Sequence, residues 1–251
     1  MEPAEYEALS RAEERHWWFV GLRELLARLL PRALEAPAPR VLDAGCGTGA
    51  NLRLLRDVLR PAYLGGFDRE PRAVALAREK VPDADVYEAD LCAPVLHAEA
   101  LDLVLSVDVV YVPGVERARP GLARLAERLA PGGVFALHLP AYRWLRSEHD
   151  AAVHGTERYT ARETRALLES LGLSVELLTY RLCPLLPLLV ASRLGRFGPG
   201  RREGARSDLH VEPDPRVNAA LLRVVRAENA AIAAGARMPF GSSILALGRR
   251  R

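Results

Sequence analysis

The chain has 251 residues, of which 49% are hydrophobic, and this size and composition predict one large domain with a substantial core. Its net charge of only +3 gives no indication of nucleic-acid binding. Three cysteines, Cys46, Cys92 and Cys183, lie far apart, which disfavours a zinc site or a disulfide framework and favours a reducing compartment. The sequence offers neither an apolar run that spans a bilayer nor a signal peptide, so we expect a cytoplasmic protein.

The first 39 residues are predicted to form a cap of two helices, and Pro31 and Pro37 are expected to end the second helix. The segment HWWF at residues 16–19 lies between them. Neighbouring side chains on a helix point about 100° apart, so the two tryptophans cannot both face one core. The segment is therefore either a hydrophobic hinge or a lid in which one ring covers a ligand pocket.

The stretch VLDAGCGTGAN at residues 41–51 predicts a strand, a glycine turn and the start of a helix. Gly45, Gly47 and Gly49 allow backbone dihedrals that are closed to other residues, and they let the backbone approach a ligand closely. The helix N-terminus behind the turn attracts an anionic group. A dinucleotide site needs G-x-G-x-x-G, whereas here the third glycine comes one residue early. The carboxylate of Asp43 would also repel a pyrophosphate, but it suits an ammonium or a sulfonium group.

A second strand is predicted at residues 62–67, and it ends at Asp68. An acid about twenty residues past the glycine turn can accept both hydroxyls of a ribose. The alternative is that Asp68 caps the helix that Pro71 opens. A short third strand at residues 85–88 leads to Asp90, which is either a ligand contact or a loop cap.

A continuous apolar run at residues 101–107 predicts the central strand of the sheet. Val107 at its end and Asp108 after it fall on the edge where open α/β sheets bind ligands. Farther along, the Pro-Gly-Gly sequence at residues 131–133 is expected to form a tight turn before a strand at residues 134–139.

The densest polar segment of the chain contains His149, Asp150 and His154. Thr160 and Glu163 form a capping box after it, so the three residues are expected to lie in a loop that leaves the ligand-binding edge. A histidine or an aspartate in such a loop can supply a general base, although a loop histidine is often merely solvated.

The rest of the chain is predicted to add strands at residues 173–182 and 242–248, with an insertion at residues 183–241 between them. Within the insertion, the apolar residues 184–190 are followed by several arginines. Three interpretations stay open for this segment: burial against the domain, a homodimer contact, or contact with a membrane surface near a lipid-linked acceptor.

The sequence DAGCGTG at residues 43–49 resembles motif I of the class I S-adenosylmethionine (SAM) methyltransferases. The resemblance is strong over about residues 40–141 and weaker toward both termini. A second resemblance is to one bacterial subgroup, the methyltransferases of type 11 or 12. Two stretches carry it: HWWF followed by G-x-R, and H-D, H and R-Y-T at residues 149–160. Members of the family often have a histidine just beyond the central strand, where this chain has Tyr111.

The resemblance implies SAM as the cofactor and a Rossmann-like, doubly wound α/β sheet of seven strands whose last strand is antiparallel. Asp68 would hold the ribose and Asp90 the adenine amino group, while the backbone N–H of Leu91 would meet an adenine ring nitrogen. Arg23 would lie near the cofactor carboxylate, under a lid formed by Trp18. The full set of cofactor residues is then Asp43, Gly45, Cys46, Gly47, Gly49, Asp68, Arg69, Asp90, Leu91, Val107, Trp18 and Arg23. No metal site is expected.

The expected function is transfer of the SAM methyl group to a small-molecule, glycan or lipid-linked acceptor, mainly by alignment of the two reactants. Two alternatives stay open: a non-catalytic SAM-binding or interaction module, and a nicotinamide-dependent oxidoreductase, which Asp43 and the early third glycine disfavour. The chain is expected to be a single domain, divided into a helical cap (1–39), a core (40–182), the insertion (183–241) and the last strand (242–251).

Overall fold

The computed structural model of the chain describes residues 3–146, 157–195 and 214–251. The helices are α1 (Pro3–Arg15), α2 (Trp17–Ala33), α3 (Ala50–Leu59), α4 (Pro71–Lys80), α5 (Val115–Glu127), a 3₁₀ helix (Arg143–Leu145), α6 (Ala161–Ser170), α7 (Leu186–Gly195) and α8 (Pro215–Ala233). The strands are β1 (Arg40–Ala44), β2 (Tyr63–Asp68), β3 (Asp85–Glu88), β4 (Leu101–Val107), β5 (Leu129–Pro140), β6 (Leu173–Arg181) and β7 (Ser243–Arg250). Among these helices, none combines the length and the hydropathy that crossing a membrane requires.

The strands form one seven-stranded sheet in the order β3-β2-β1-β4-β5-β7-β6. Neighbours from β3 to β5 pair in parallel, whereas β7 runs antiparallel to both β5 and β6. The predicted doubly wound sheet with an antiparallel last strand is therefore confirmed. Because the chain winds from β1 toward β3 in one direction and resumes at β4 on the other side of β1, the loops after β1 and β4 diverge and open a crevice.

Helices cover both faces of the sheet, which explains why the central strands are almost continuously apolar. Leu103 and Val104, which are neighbours in β4, are both fully buried, yet they belong to opposite hydrophobic clusters. The cluster on one face includes Leu52 from α3, and the cluster on the other face includes Leu122 from α5. Both faces of the sheet are thus covered by helices, which leaves the carboxyl ends of its parallel strands to form a site.

Helix α2 extends through Pro31 to Ala33, so the expectation that Pro31 ends this helix is wrong. A proline in the last turn removes only one backbone donor. Tertiary contacts outweigh that loss: Leu30 is 1% exposed, and the guanidinium of Arg249 donates to the carbonyl of Ala33 over 2.9 Å.

Strand β5 begins at Leu129, so the Pro-Gly-Gly sequence lies inside the strand and not in a turn before it. Leu129 pairs with Leu101, and the next pair is Leu103 with Val134, so the register shifts across residues 130–133. Gly132 has a φ of +79°, which suits the extra residues of a bulge. The prediction of a tight turn was wrong because local sequence cannot tell a bulge from a turn.

The insertion before β7 packs against the N-terminal cap through α8. A Cβ atom at Gly21 of α2 would lie 2.5 Å from Cγ1 of Val225, so only glycine lets the two helices come this close. The side-chain amide of Asn229 donates to the carbonyl of Gly21 over 2.7 Å, and the backbone N–H of Trp17 donates to Asn218 over 2.9 Å. These contacts fix the position of the cap above the sheet.

Candidate functional site

A cavity of about 470 Å³ lies at the carboxyl edge of the parallel strands, where the crevice between β1 and β4 opens. Its volume falls in the range of roughly 300–1,000 Å³ that is typical of small-molecule sites. The predicted cofactor residues that line it are Trp18, Arg23, Gly45, Cys46, Gly47, Asp68, Arg69, Asp90, Leu91 and Val107. Residues that are far apart in the sequence, between positions 18 and 107, thus line the same cavity.

Gly49 is a predicted site residue that does not line the cavity. It has a φ of +87°, and a Cβ atom here would lie 2.9 Å from Cα of Ala77. Gly49 therefore lets α3 pack closely on α4. This packing accounts for the third glycine of the turn without any contact between Gly49 and a ligand.

Asp68 ties the glycine turn to the end of β2. One oxygen of its carboxylate accepts the backbone N–H of Gly47 over 3.0 Å, and the other accepts the backbone N–H of Glu70 over 3.0 Å. Burial raises the pKa of Asp68, and these backbone donors together with the N–H of Arg69 oppose the rise. Each carboxylate oxygen has a further lone pair, so the same group can still face a ligand in the cavity.

Asp90 and Leu91 lie in the loop after β3. The carboxylate of Asp90 accepts the backbone N–H of Cys92 over 2.8 Å, as the loop-cap interpretation requires, and Asp90 also lines the cavity. Helix α5 approaches this loop so closely that only glycine fits at position 121, because a Cβ atom there would lie 1.7 Å from the carbonyl oxygen of Leu91.

Helix α1 closes the cavity from above and is fastened through Glu13. Glu13 is 6% exposed, and one oxygen of its carboxylate lies 2.5 Å from Nζ of Lys80, the only lysine of the chain. The hydroxyl of Thr48 in the glycine turn donates to the same oxygen. Arg23 lines the cavity and donates to the backbone carbonyl of Glu13. Sequence reasoning missed the Glu13–Lys80 pair, for which the isolated lysine was the only signal.

Asp43 lies beneath the glycine turn and is fully buried, outside the cavity lining. Among the described residues, neither oxygen of its side chain has a hydrogen-bond partner. Burial, followed by the charges of Asp68 and Glu13, raises the pKa of Asp43 to about 8. An unpartnered buried carboxyl group of this kind fits a cationic ligand group bound nearby, because such a group would stabilise its ionised form.

The far half of the cavity is built by the ends of β4, β5 and β7. Asp108 follows β4 with a left-handed φ of +51°, and its carboxylate lies 3.0 Å from Nδ1 of His138 in β5. Nε2 of His138 lies 3.2 Å from Nη1 of Arg181, at the end of β6. His138 and Arg181 are both fully buried. Sequence reasoning placed Asp108 at this edge without a role and did not single out the other two.

The predicted acceptor-loop residues His149, Asp150 and His154 lie outside the residues that the structure describes. Tyr111, which occupies the position where a histidine was expected, lines the cavity. The lid interpretation of HWWF has a geometric counterpart: Trp18 lines the cavity, and its ring centre lies 5.7 Å from that of His138.

Comparisons with known proteins agree with this geometry. A family model described as a methyltransferase domain matches residues 41–133. A trans-aconitate 2-methyltransferase of Variovorax paradoxus is 37% identical over 123 residues, which are 48% of this chain and 44% of that protein. One from Acidovorax sp. is 32% identical over 171 residues, 64% of this chain and 62% of that protein. The matched part of the chain therefore spans only 44% and 62% of the length of these two relatives.

A crystal structure with the same fold is that of a TehB-like SAM-dependent methyltransferase from Corynebacterium glutamicum. It superposes with a TM-score of 0.58 at 18% identity, and the match covers 100% of both chains. At this level of identity the likeness concerns the fold alone.

Proposed function

We propose that this chain, a member of the class I SAM-dependent methyltransferases, transfers the methyl group of SAM to a small-molecule acceptor. The observation that carries the proposal is the cavity in which the glycine turn, Asp68 and Asp90 meet below the N-terminal cap. SAM is the cofactor of the family, and it supplies a methyl group that is already activated for transfer.

The residues around the cavity fit the parts of SAM. Asp68 is suited to the ribose hydroxyls, because its backbone hydrogen bonds hold the carboxylate in place. Asp90 and the N–H of Leu91 are suited to the adenine, and Asp43 lies below the turn where an ammonium group would need a counter-charge. Arg23 would meet the carboxylate of the amino acid part. In this arrangement the chain contributes chiefly alignment, which can supply about 7–11 kcal/mol.

The cap contributes exclusion of water. Trp18, His16 and Glu13 line the cavity from above, and the ion pair between Glu13 and Lys80 holds α1 against α4. Because the cap covers the cofactor half of the cavity, we propose that a methyl acceptor enters from the side of β4, β5 and β7. We place the acceptor there, and we retain His149, Asp150 and His154 as candidates for a general base.

The acceptor class is to be tested with labelled SAM against three groups of compounds: small carboxylic acids including trans-aconitate, sugars, and lipid-linked glycans. We expect label to appear in a small molecule. SAM binding without transfer to any compound would favour the non-catalytic binding module, and tighter binding of NADH than of SAM would favour an oxidoreductase.

Alanine variants of His149 and His154 are expected to keep SAM affinity within about threefold of the wild type, and at least one of them should lower the rate of methyl transfer by about tenfold.

Residues 183–241 are proposed to mediate a homodimer or a membrane-surface contact. Leu188 of α7 supports an exposed apolar contact, since it is 60% exposed. Sedimentation of the protein alone and with anionic vesicles distinguishes the two contacts, and a monomer that ignores vesicles would exclude both.

Binding of the product S-adenosylhomocysteine (SAH) is expected to release protons near pH 7. Without ligand, Asp43 keeps its proton up to its raised pKa of about 8. An ammonium group bound near it favours the carboxylate, so binding expels this proton and affinity rises with pH until it levels off above about 8. Calorimetry in two buffers of different ionisation enthalpy measures the released protons.

The matched control is Asp43→Asn, which preserves shape and removes the titration. This variant should release fewer protons and show a flatter pH dependence. Equal proton release by the variant and the wild type would assign the effect to another group.

A further inference from the structure

The cavity has two halves that different strands build. The ends of β1, β2 and β3 carry the glycine turn, Asp68 and Asp90, which we assign to SAM. The other half is lined by Asp108 after β4, Pro140 at the end of β5 and Ser243 at the start of β7. Pro140 and Ser243 are paired across the sheet, so this half has a defined wall.

Asp108 stands at the boundary between the two halves. A Cβ atom on Gly45 would lie 2.3 Å from Cγ2 of Val109, the residue after Asp108, so the β4 loop touches the glycine turn. The side chain of Asp108 is 22% exposed and lines the cavity. Asp108 therefore lines the cavity at the boundary between the cofactor half and the acceptor half.

The hydrogen bonds behind Asp108 fix which atoms carry protons. A guanidinium group only donates, so Nε2 of His138 must accept from Arg181. The proton of the neutral ring is then on Nδ1, which donates to the carboxylate of Asp108. Burial lowers the pKa of Arg181 to about 10, and the carboxylates of Glu228 and Asp108 oppose the shift. Arg181 thus stays cationic at neutral pH and donates to Nε2 of His138, which leaves the Nδ1 proton for Asp108.

We propose that the buried pair His138 and Arg181 holds Asp108 as an ionised hydrogen-bond acceptor beside the methyl group of SAM, and that the acceptor nucleophile is therefore a hydroxyl or an amine. This inference rests on the proposed methyl transfer. A carboxylate nucleophile would face the like charge of Asp108, so trans-aconitate, all of whose nucleophilic groups are carboxylates, is a poor fit. Arg158, which also lines the cavity and donates to the carbonyl of Ala141, can meet a carboxylate elsewhere on the acceptor.

The atoms of the step balance within this site. The lone pair of the acceptor oxygen or nitrogen forms the bond to the methyl carbon, and the electrons of the sulfur–methyl bond pass to sulfur. The proton of the hydroxyl or amine passes to the carboxylate of Asp108, from which solvent removes it after product release. Asp108 is then a catalytic residue, and His138 and Arg181 are positioning residues.

Sinefungin tests the placement of Asp108 without a known acceptor, because in this SAM analogue an amine stands where SAM carries its methyl group. Calorimetry should show that the wild type binds sinefungin at least tenfold more tightly than SAH, or ~1.4 kcal/mol. Asp108→Asn should reduce this preference to within threefold while SAH affinity stays within threefold of wild type. The control variant Asp83→Asn removes the charge of an exposed aspartate that pairs with Arg56. It should change the affinity for neither SAH nor sinefungin.

Variants of His138 separate positioning from mere packing. Asn places its amide nitrogen close to the position of Nδ1, so His138→Asn should keep most of the preference for sinefungin. Phe has no donor, so His138→Phe should lose most of it. A purely structural role would weaken SAH and sinefungin equally in both variants, which would overturn the positioning role. These variants also decide the question if Asp108→Asn does not fold.

The outcomes separate the two proposals. Absence of SAH binding by the wild type contradicts the proposed function itself. Normal SAH binding without a preference for sinefungin, or a preference that Asp108→Asn retains, contradicts only the inference about Asp108. In the labelled-SAM assay, transfer to trans-aconitate that Asp108→Asn does not lower would also overturn it, whereas transfer to hydroxyl or amine compounds that drops at least tenfold in that variant supports it.

Discussion

Gly47→Val is expected to weaken SAH binding by about 100-fold or more, ~2.8 kcal/mol, while the chain remains folded. Gly47 lines the cavity with a φ of +53°, and no described atom lies within 4 Å of a Cβ built on it. The added isopropyl group would therefore occupy ligand space. The N–H of Gly47 also donates to Asp68, so strain at this residue disturbs the proposed ribose site as well.

The matched control is Gly172→Val. Gly172 has a φ of +77° with no described atom within 4 Å of its built Cβ, and it lies at the amino end of β6, on the opposite edge of the sheet. Both variants should lose stability through left-handed strain, about 1–2 kcal/mol or somewhat more for a β-branched residue. Only Gly47→Val should lose SAH in calorimetry. Similar SAH affinity in the two variants would contradict the cofactor assignment.

Asp68→Ala is expected to weaken SAH binding by more than tenfold, above ~1.4 kcal/mol, and by more than Asp90→Ala does. The carboxylate of Asp68 accepts two backbone N–H groups, from Gly47 and Glu70, in addition to its proposed contacts with the ribose. Its loss removes the side-chain hydrogen bond that holds the N–H of Gly47 to the end of β2. The carboxylate of Asp90 accepts the N–H of Cys92 and a further hydrogen bond from the thiol of Cys92, and Asp90 is exposed, so water can replace these contacts.

Asp68→Asn separates the two contributions, because the amide keeps one acceptor oxygen for a backbone N–H but loses the charge. We expect its SAH affinity to fall between those of the wild type and Asp68→Ala. A larger loss for Asp90→Ala than for Asp68→Ala would show that adenine contacts, and not the ribose, dominate binding. Thermal unfolding of each variant controls for loss of the fold.

Local pattern determined much of this protein. The alternation of apolar strands and helices, the glycine turn at residues 43–49 and the acid at the end of β2 all follow from side-chain periodicity and from backbone dihedrals that only glycine adopts readily. The connectivity of parallel strands then places Asp68 and Asp90 at one edge, since successive parallel strands end on the same side. Ten of the twelve predicted cofactor residues accordingly line the cavity, whereas Asp43 and Gly49 lie outside its lining.

Tertiary structure alone decided the rest, because it depends on groups that are distant in sequence. Glu13 meets Lys80 across 67 positions, and Asp108, His138 and Arg181 meet across gaps of 30 and 43. Nothing in the local sequence around His138 marks it, since its role follows from the register that places β5 between β4 and β7. The path of α2 through Pro31 and the bulge in β5 likewise follow from packing and strand pairing, whose free energies exceed the local preferences of proline and glycine.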